Sequence, residues 1–333
     1  MRVFWADFSK LRRPLTFWLT IVVMGFCVLY AANLQGSANA RLDQDKSMIA
    51  EGQRMVQQAQ SGGLSKSDPA YIDVGSAKSF LATSQSQYKD TQRESAYAAS
   101  TQRPLGSLGI ALGLVCSIVG AFALVVLASG HVAGEWTGLT IKEALIADRR
   151  RGMTILAKMA SLFAFGVWLV VCSWIAVMLW GLVSKGLHPA LAGIATNSAS
   201  YDWAIRMTWK APVAILFFAA LAVFLSILIR NNIGTVLAGI ALIVGVNILG
   251  VFVMFARYTP ASWLAAWMDF RPQNLNSANH YLWMSKLSDA LDAGGRAVQP
   301  HWTFNANAFA LGVLIVAIIA AAVIVMRRRD AMS

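Results

Sequence analysis

Charged residues are scarce in this chain. Asp, Glu, Lys and Arg make up 13% of the 333 residues, whereas hydrophobic residues make up 57%. Soluble globular domains carry about 25% charged residues, so a composition this apolar excludes a soluble domain. The chain is predicted to be an integral membrane protein.

Cysteine and histidine are few and scattered. The three cysteines, Cys27, Cys116 and Cys172, lie inside apolar runs with no CxxC spacing, which indicates packing roles rather than a disulfide framework. The four histidines are His131, His188, His280 and His301, and they lie in separate places without a short metal-ligand spacing. A metal site is therefore not predicted.

Several functional signatures are missing as well. The sequence has no GxxxxGK[ST] phosphate cradle, and no Ser/His/Asp set or carboxylate pair falls at a common membrane depth. The apolar runs contain no ionisable residue except Lys158 near one end, whereas an ion-coupled carrier usually needs one to bind its coupling ion. These absences argue against an enzyme, an ATPase and an ion-coupled carrier, and no filter-like loop indicates a channel.

The chain has long apolar runs instead. A membrane-spanning helix needs about 20 largely uncharged residues, and solid runs of this length differ from the alternating segments of about ten residues in a β-barrel. The predicted fold class is an all-α integral membrane protein with six transmembrane helices. The predicted spans are residues 15–34, 105–130, 153–184, 211–229, 233–255 and 304–326.

Basic residues set the predicted orientation. The net charge is +12, and basic residues are dense in the short segments 10–13, 142–158 and 327–333, whereas most acidic residues lie on the other side. This is the positive-inside pattern, and it places both termini in the cytoplasm. In a protein this apolar, basic residues set topology and meet anionic lipid, so nucleic acid is not a predicted partner.

Residues 35–104 form the first predicted extracytoplasmic segment. Two polar stretches rich in Ala, Gln and Ser, 39–60 and 73–101, flank a cluster of helix breakers at 61–69. This pattern predicts a helical hairpin, with a disordered loop as the alternative. Residues 185–210 are predicted to be an outer loop.

The other outer segment, 256–303, contains aromatic-rich pieces that are too short to span a membrane. They are predicted to be re-entrant or interfacial helices at the outer face. Four aromatic residues there are candidates for an outer gate, with membrane anchoring as the alternative. They are Trp263, Trp267, Tyr281 and Trp283.

The first 14 residues carry apolar side chains at helical spacing, with polar and basic residues between them. The pattern predicts an amphipathic helix in the cytoplasmic interface, and an ordinary basic flank with aromatic anchors is the alternative. The apolar residues are Phe4, Trp5, Phe8 and Leu11.

A charged insert separates the second and third spans. Residues 134–158 read GEWTGLTIKEALIADRRRGMTILAK, and residues 131–152 are predicted to form a cytoplasmic helix. The insert resembles the coupling helix of the permease subunit of the type-2 ABC exporter family. The matching positions are Glu135, Trp136, Thr140, Leu145, Arg150 and Lys158, while the glycine of the family's Gly-Thr element is displaced to Gly138.

This resemblance implies a pair of permeases in the bacterial plasma membrane, with separate ATP-binding subunits that hold ATP and Mg²⁺. The chain itself would carry no cofactor and no catalytic residue. The implied ATPase-coupling residues are Glu135, Trp136, Thr140, Lys142, Glu143, Leu145, Arg149, Arg150 and Arg151. The arginine run is equally consistent with a stop-transfer flank.

Two questions stay open at this level. The first outer segment is longer than the family pattern explains, and we hypothesise that it contacts substrate or an extracytoplasmic partner. A non-transporting membrane sensor or scaffold is therefore the competing function. The sequence does not identify the substrate, although aromatic outer helices suit a lipid, a hydrophobic drug or an amphipathic peptide.

Overall fold

The computed structural model describes residues 14–61, 73–137, 151–194, 196, 199–251, 260–268 and 304–330. Within these ranges all regular secondary structure is helical, which confirms the predicted all-α class. The helices are α1 (Pro14–Gln60), α2 (Val74–Ser100), α3 (Pro104–Val115), α4 (Ile118–Ala128), α5 (Gly134–Thr137), α6 (Arg151–Leu187), α7 (Pro189–Ala192), α8 (Ala199–Ile229), α9 (Asn232–Val251), α10 (Pro260–Trp267) and α11 (Phe304–Asp330). A π-helical turn, Ser129–Ala133, joins α4 to α5.

Five segments of the described ranges are long and apolar enough to cross a membrane. They are Pro14–Gln60, Ile118–Trp136, Gly152–Leu187, Ala204–Ile229 and Ala308–Met326. The predicted span 233–255 corresponds to α9, whose apolar part Asn232–Ile243 is too short to be counted with these five. The total of six spans therefore stays a prediction.

Helix α1 continues beyond the predicted first span without interruption. Helix α1 has 47 residues, which corresponds to about 70 Å at 1.5 Å per residue, against a hydrocarbon layer of about 30 Å. Its second half, residues 35–60, extends about 39 Å beyond the predicted span. Helix α2 packs along this extension, and it begins where Asp73 Oδ2 accepts a hydrogen bond from the Gly75 amide at 3.0 Å.

The contact between α1 and α2 follows alternating steps of four and three residues, as in a coiled coil. The buried and half-buried positions are Ala38, Leu42, Asp45, Ile49 and Gly52 on α1, and Ala77, Leu81, Ser84, Tyr88, Thr91, Ser95 and Ala98 on α2. Small side chains let the helices approach closely, since a methyl group at Gly52 would lie 3.2 Å from Leu81 Cα. We call this pair the outer hairpin.

The second span is broken where the sequence predicts one continuous helix over 105–130. Helix α3 ends at Val115, and Ser117 has an extended backbone and caps α4 by accepting from the Val119 amide at 3.5 Å. The break lies against α8, because Cys116 Sγ donates to Ala211 O at 4.0 Å. The neighbouring Pro212 lacks an N–H, so both helices depart from regular hydrogen bonding at the same level.

Helix α8 begins at Ala199, earlier than the predicted start at 211, and Pro212 therefore lies inside the helix rather than at its beginning. The predicted outer loop 185–210 thus contains α7 and the first turns of α8. The candidate span Ala204–Ile229 includes Arg206 and the buried Lys210. The predicted span 211–229 itself contains no ionisable residue, and both basic residues lie in the part of the helix that precedes it.

Helix α8 forms the centre of the bundle, packing against α3, α4, α6 and α11 with most of its span buried. Helices α1 and α11 lie at the periphery and leave most of their apolar side chains exposed or only half-buried. At one end of the bundle, the π turn, α5, the start of α6 and the turn between α8 and α9 converge. We call this the insert end, and the opposite end, where α1 continues into the outer hairpin, the hairpin end.

Candidate functional site at the insert end

A buried ion pair joins the insert to the third span. Lys158 Nζ lies 2.7 Å from Glu135 Oε2, and the two side chains are 3% and 7% exposed. Glu135 belongs to α5 and Lys158 to the second turn of α6. A charge taken out of water is costly unless it is paired, so the two residues hold the first turn of the insert against α6.

A second polar contact lies beside this pair. His131 Nε2 is 3.3 Å from Ser161 Oγ, and Ser161 Oγ also donates to Lys158 O at 2.8 Å. The two contacts are compatible when His131 donates from Nε2. His131 lies in the π turn, an irregularity that often marks functional positions in helices, and it stands one helical turn before Glu135.

The insert also contacts the turn between α8 and α9. Arg230 Cζ lies 3.8 Å from the centroid of the Trp136 ring, within the range of a cation–π interaction. A methyl group at Gly134 would lie 3.6 Å from both the Oδ1 and Nδ2 atoms of Asn232. Arg230 has φ of 57°, a left-handed conformation that favours glycine. We call His131, Glu135, Trp136, Lys158, Ser161 and Arg230 the insert-end cluster.

The structure describes part of the predicted coupling set. Glu135 and Trp136 lie together in the insert-end cluster, and both face the protein rather than open solvent. Arg151 begins α6. The remaining predicted coupling residues lie outside the described residues; they are Thr140, Lys142, Glu143, Leu145, Arg149 and Arg150.

The predicted interfacial helix, with Phe4, Trp5, Phe8 and Leu11, also lies outside the described residues, as do Tyr281 and Trp283. The other two gate candidates lie on α10, where Trp267 is buried and Trp263 half-buried. Trp267 Nε1 donates to Lys210 O at 3.0 Å, and its ring meets Trp209 edge-on at 5.3 Å between centroids. Lys210 Nζ lies 5.5 Å from the Trp209 ring, so α10 packs directly on the buried lysine.

A neutral hydrogen-bonded group occupies the hairpin end. Gln35 is fully buried, donates to Thr101 Oγ1 at 2.8 Å and accepts from Trp180 Nε1 at 3.0 Å. Gln102 Nε2 donates to Ser184 O at 3.4 Å. This hairpin-end junction ties α1, the end of α2 and α6 together, with donors matched to acceptors.

Sequence reasoning missed His131, Ser161, Arg230 and Lys210 as members of polar contacts. A signal existed for two of them, because His131 and Glu135 are four residues apart, and Lys158 and Ser161 are three apart, so each pair shares a helix face. Arg230 and Lys210 gave no such signal. Their roles depend on contacts with Trp136 and Trp267, which lie far away in sequence.

Comparison with known proteins bears on this arrangement. Neither curated proteins nor solved structures gave a match. A family model described as ABC-2 family transporter protein matches residues 1–331, which is nearly the whole chain and includes every helix described above. The chain therefore belongs to the ABC-2 family of transporter proteins.

Proposed function

We propose that the chain is the membrane-spanning permease subunit of an ATP-driven ABC exporter. Together with a second permease copy or homologue it would form the translocation path, and separate ATP-binding subunits would attach at the insert end. Family membership supports the transporter class. The dense basic residues near the insert support a cytoplasmic position for this end in a bacterial plasma membrane.

The observation that carries the proposal is the buried Glu135–Lys158 pair. A surface loop that merely separates two spans has no need to bury an acidic residue against the next span. A loop that receives force needs a stiff connection to the helices it moves. The pair supplies this connection, because separating two buried opposite charges is costly.

The proposed division of labour rests on the inward contacts of Glu135 and Trp136 and on the charges that follow them in the sequence. The ATP-binding subunits would contact the charged residues that follow the first turn of the insert. These are Lys142, Glu143 and Arg149 to Arg151. Glu135 and Trp136 face the bundle and would pass the movement inward through Lys158 and Arg230. ATP-driven closure of the partner subunits would then alternate the access of the path between the two permeases.

The test begins with the partner. The tagged chain is purified from its host membrane, the co-purifying proteins are identified, and the complex is reconstituted to measure ATP hydrolysis and transport together. We expect a stoichiometric ATP-binding protein. Arg150→Ala should lower transport per ATP hydrolysed without changing membrane insertion, whereas Arg54→Ala, which removes an exposed charge from the outer hairpin, should leave the ratio unchanged.

The competing function is a sensor or scaffold that uses the outer hairpin and does not transport. The projection of the hairpin about 39 Å beyond the first span favours an extracytoplasmic contact of some kind. Reproducible purification without any ATP-binding protein would support this alternative and contradict the exporter. Transport that persists without ATP would contradict both and favour an ion-coupled carrier.

A further inference from the structure

The turn between α8 and α9 has an unusual residue in its critical position. Helix α8 ends at Ile229, and Arg230 N still bonds to Ser226 O at 3.0 Å while the Arg230 backbone turns left-handed with φ of 57°. Helices commonly end in this way, but with glycine at that position, because a side chain there costs about 1 kcal/mol. Asn231 then starts α9 by accepting from the Gly234 amide at 3.0 Å.

The contact partner of Arg230 explains why an arginine is useful at this costly position. Its guanidinium group lies on Trp136 at 3.8 Å, and Trp136 is in the first turn of the insert next to Glu135. Backbone conformations that cost energy persist where the surroundings hold them, and they gather at working sites. Glycine would make the same turn more easily and would lose the contact.

The insert is therefore held on two sides. Glu135 fixes it to α6 through Lys158, and Trp136 fixes it to the turn 230–232 through Arg230, while Gly134 lies close to Asn232. Those residues are the short link between α8, the central helix of the bundle, and α9. If α5 is displaced and both contacts are kept, then α6, α8 and α9 must also be displaced where they meet at the insert end.

We infer that Arg230 is a positioning residue that couples the turn 230–232 to the insert, so that α5 and this turn move as one body. The inference rests on the proposed function, in which the insert receives force from an ATPase. It adds a route to α8 and α9 beside the route to α6. It also assigns a role to a turn that otherwise only reverses the chain.

The first test needs no ATPase partner. Amide hydrogen exchange is measured on the purified chain for wild type, Trp136→Ala and Arg230→Gly. We expect Trp136→Ala to speed exchange in residues 230–240, and Arg230→Gly to speed it in residues 129–137, each by about two- to fivefold, as loss of a cation–π contact allows. Changes confined to the mutated element would overturn the inference.

Arg230→Gly tests the side-chain contact without disturbing the turn, because glycine adopts the left-handed backbone conformation without strain and only the arginine side chain is lost. Arg230→Lys is the matched control: it keeps the charge and the backbone strain but lacks the planar group that stacks on indole. Trp136→Phe keeps an aromatic face. We expect exchange to rank with wild type slowest, Arg230→Lys and Trp136→Phe intermediate, and Arg230→Gly fastest in residues 129–137.

The second test locks the two elements together in the reconstituted complex. Cys27, Cys116 and Cys172 are replaced, and Gly134→Cys with Asn232→Cys is joined by a short bifunctional thiol reagent. If α5 and the turn move as one body, the locked protein should keep more than half of its ATP-dependent transport. Arrest of transport by the lock, with both single-cysteine controls active after the same treatment, would overturn the inference.

The two tests also separate this inference from the proposed function. If the wild-type complex shows no ATP-dependent transport, the exporter proposal fails, and hydrogen exchange alone decides whether the insert and the turn form one unit. If wild type transports but exchange changes stay local, the exporter proposal stands and the role of Arg230 is rejected.

Discussion

The two ends of the helical bundle bury different kinds of polar group, neutral at one end and charged at the other. The hairpin-end junction is neutral: the Gln35 amide bridges Thr101 and Trp180 with matched donors and acceptors. The insert-end cluster is charged, with Glu135 against Lys158 and Arg230 against Trp136. Separating two buried opposite charges costs more than breaking a neutral hydrogen bond. Under the proposed function, the charged end is therefore the end whose contacts should persist when the insert is moved.

Breaking the ion pair should have the largest effect. Glu135→Ala leaves Lys158 buried without its carboxylate, and loss of one partner of a buried pair costs about 3–5 kcal/mol. We expect a marked fall in the thermal unfolding midpoint and in transport per ATP. The double change Glu135→Gln with Lys158→Met removes both charges, and it should recover most of the stability but not the coupling. Normal coupling in the double variant would show that the pair only stabilises the fold.

A smaller effect is expected at the hairpin end. Gln35→Leu removes the acceptor of the Trp180 indole N–H, and a buried donor without a partner costs about 1–3 kcal/mol. The unfolding midpoint should fall, while the ratio of transport to ATP hydrolysis stays at the wild-type value. A change in that ratio comparable to the change in Glu135→Ala would remove the distinction between the two ends.

The smallest effect is expected within the outer hairpin. Asp45 is 4% exposed, its Oδ1 atom accepts from Gln87 Nε2 at 3.5 Å, and its Oδ2 atom has no hydrogen-bond partner in the described part of the chain. Asp45→Leu should stabilise the hairpin by about 1 kcal/mol and slow amide exchange in α2 about fivefold. Asp45→Asn, which keeps the size and a polar group, should give less. Faster amide exchange in α2 of Asp45→Leu would mean that the Asp45 carboxylate stabilises the hairpin.

Much of the fold class was predictable because membrane helices are long and uninterrupted in sequence. The all-α class and the transporter family followed from apolar runs and one charged insert. The break at Ser117 and the passage of α8 through Pro212 were not predictable in the same way. Both depend on a neighbouring helix that accepts the irregularity, and hydropathy carries no information about neighbours.

The candidate site was predictable only in part. The insert was conspicuous because its charges follow a long apolar run, and Glu135 and Trp136 were named from it. That they face inward follows from Lys158 and Arg230, which meet them across 23 residues in one case and 94 in the other. The heptad steps of the outer hairpin were present in the sequence but hidden, because Ala, Ser, Gly and Asp occupy positions where coiled coils usually show leucine.

The uninterrupted course of α1 has a mechanical consequence. A rigid rod that pivots within the membrane magnifies small rotations at its far end. If the first span tilts by about 10° during a cycle, the tip of an extension of about 39 Å is displaced by about 7 Å. The tip of the hairpin would then move by a readily measured distance when the first span rearranges by an amount that is itself too small to follow easily.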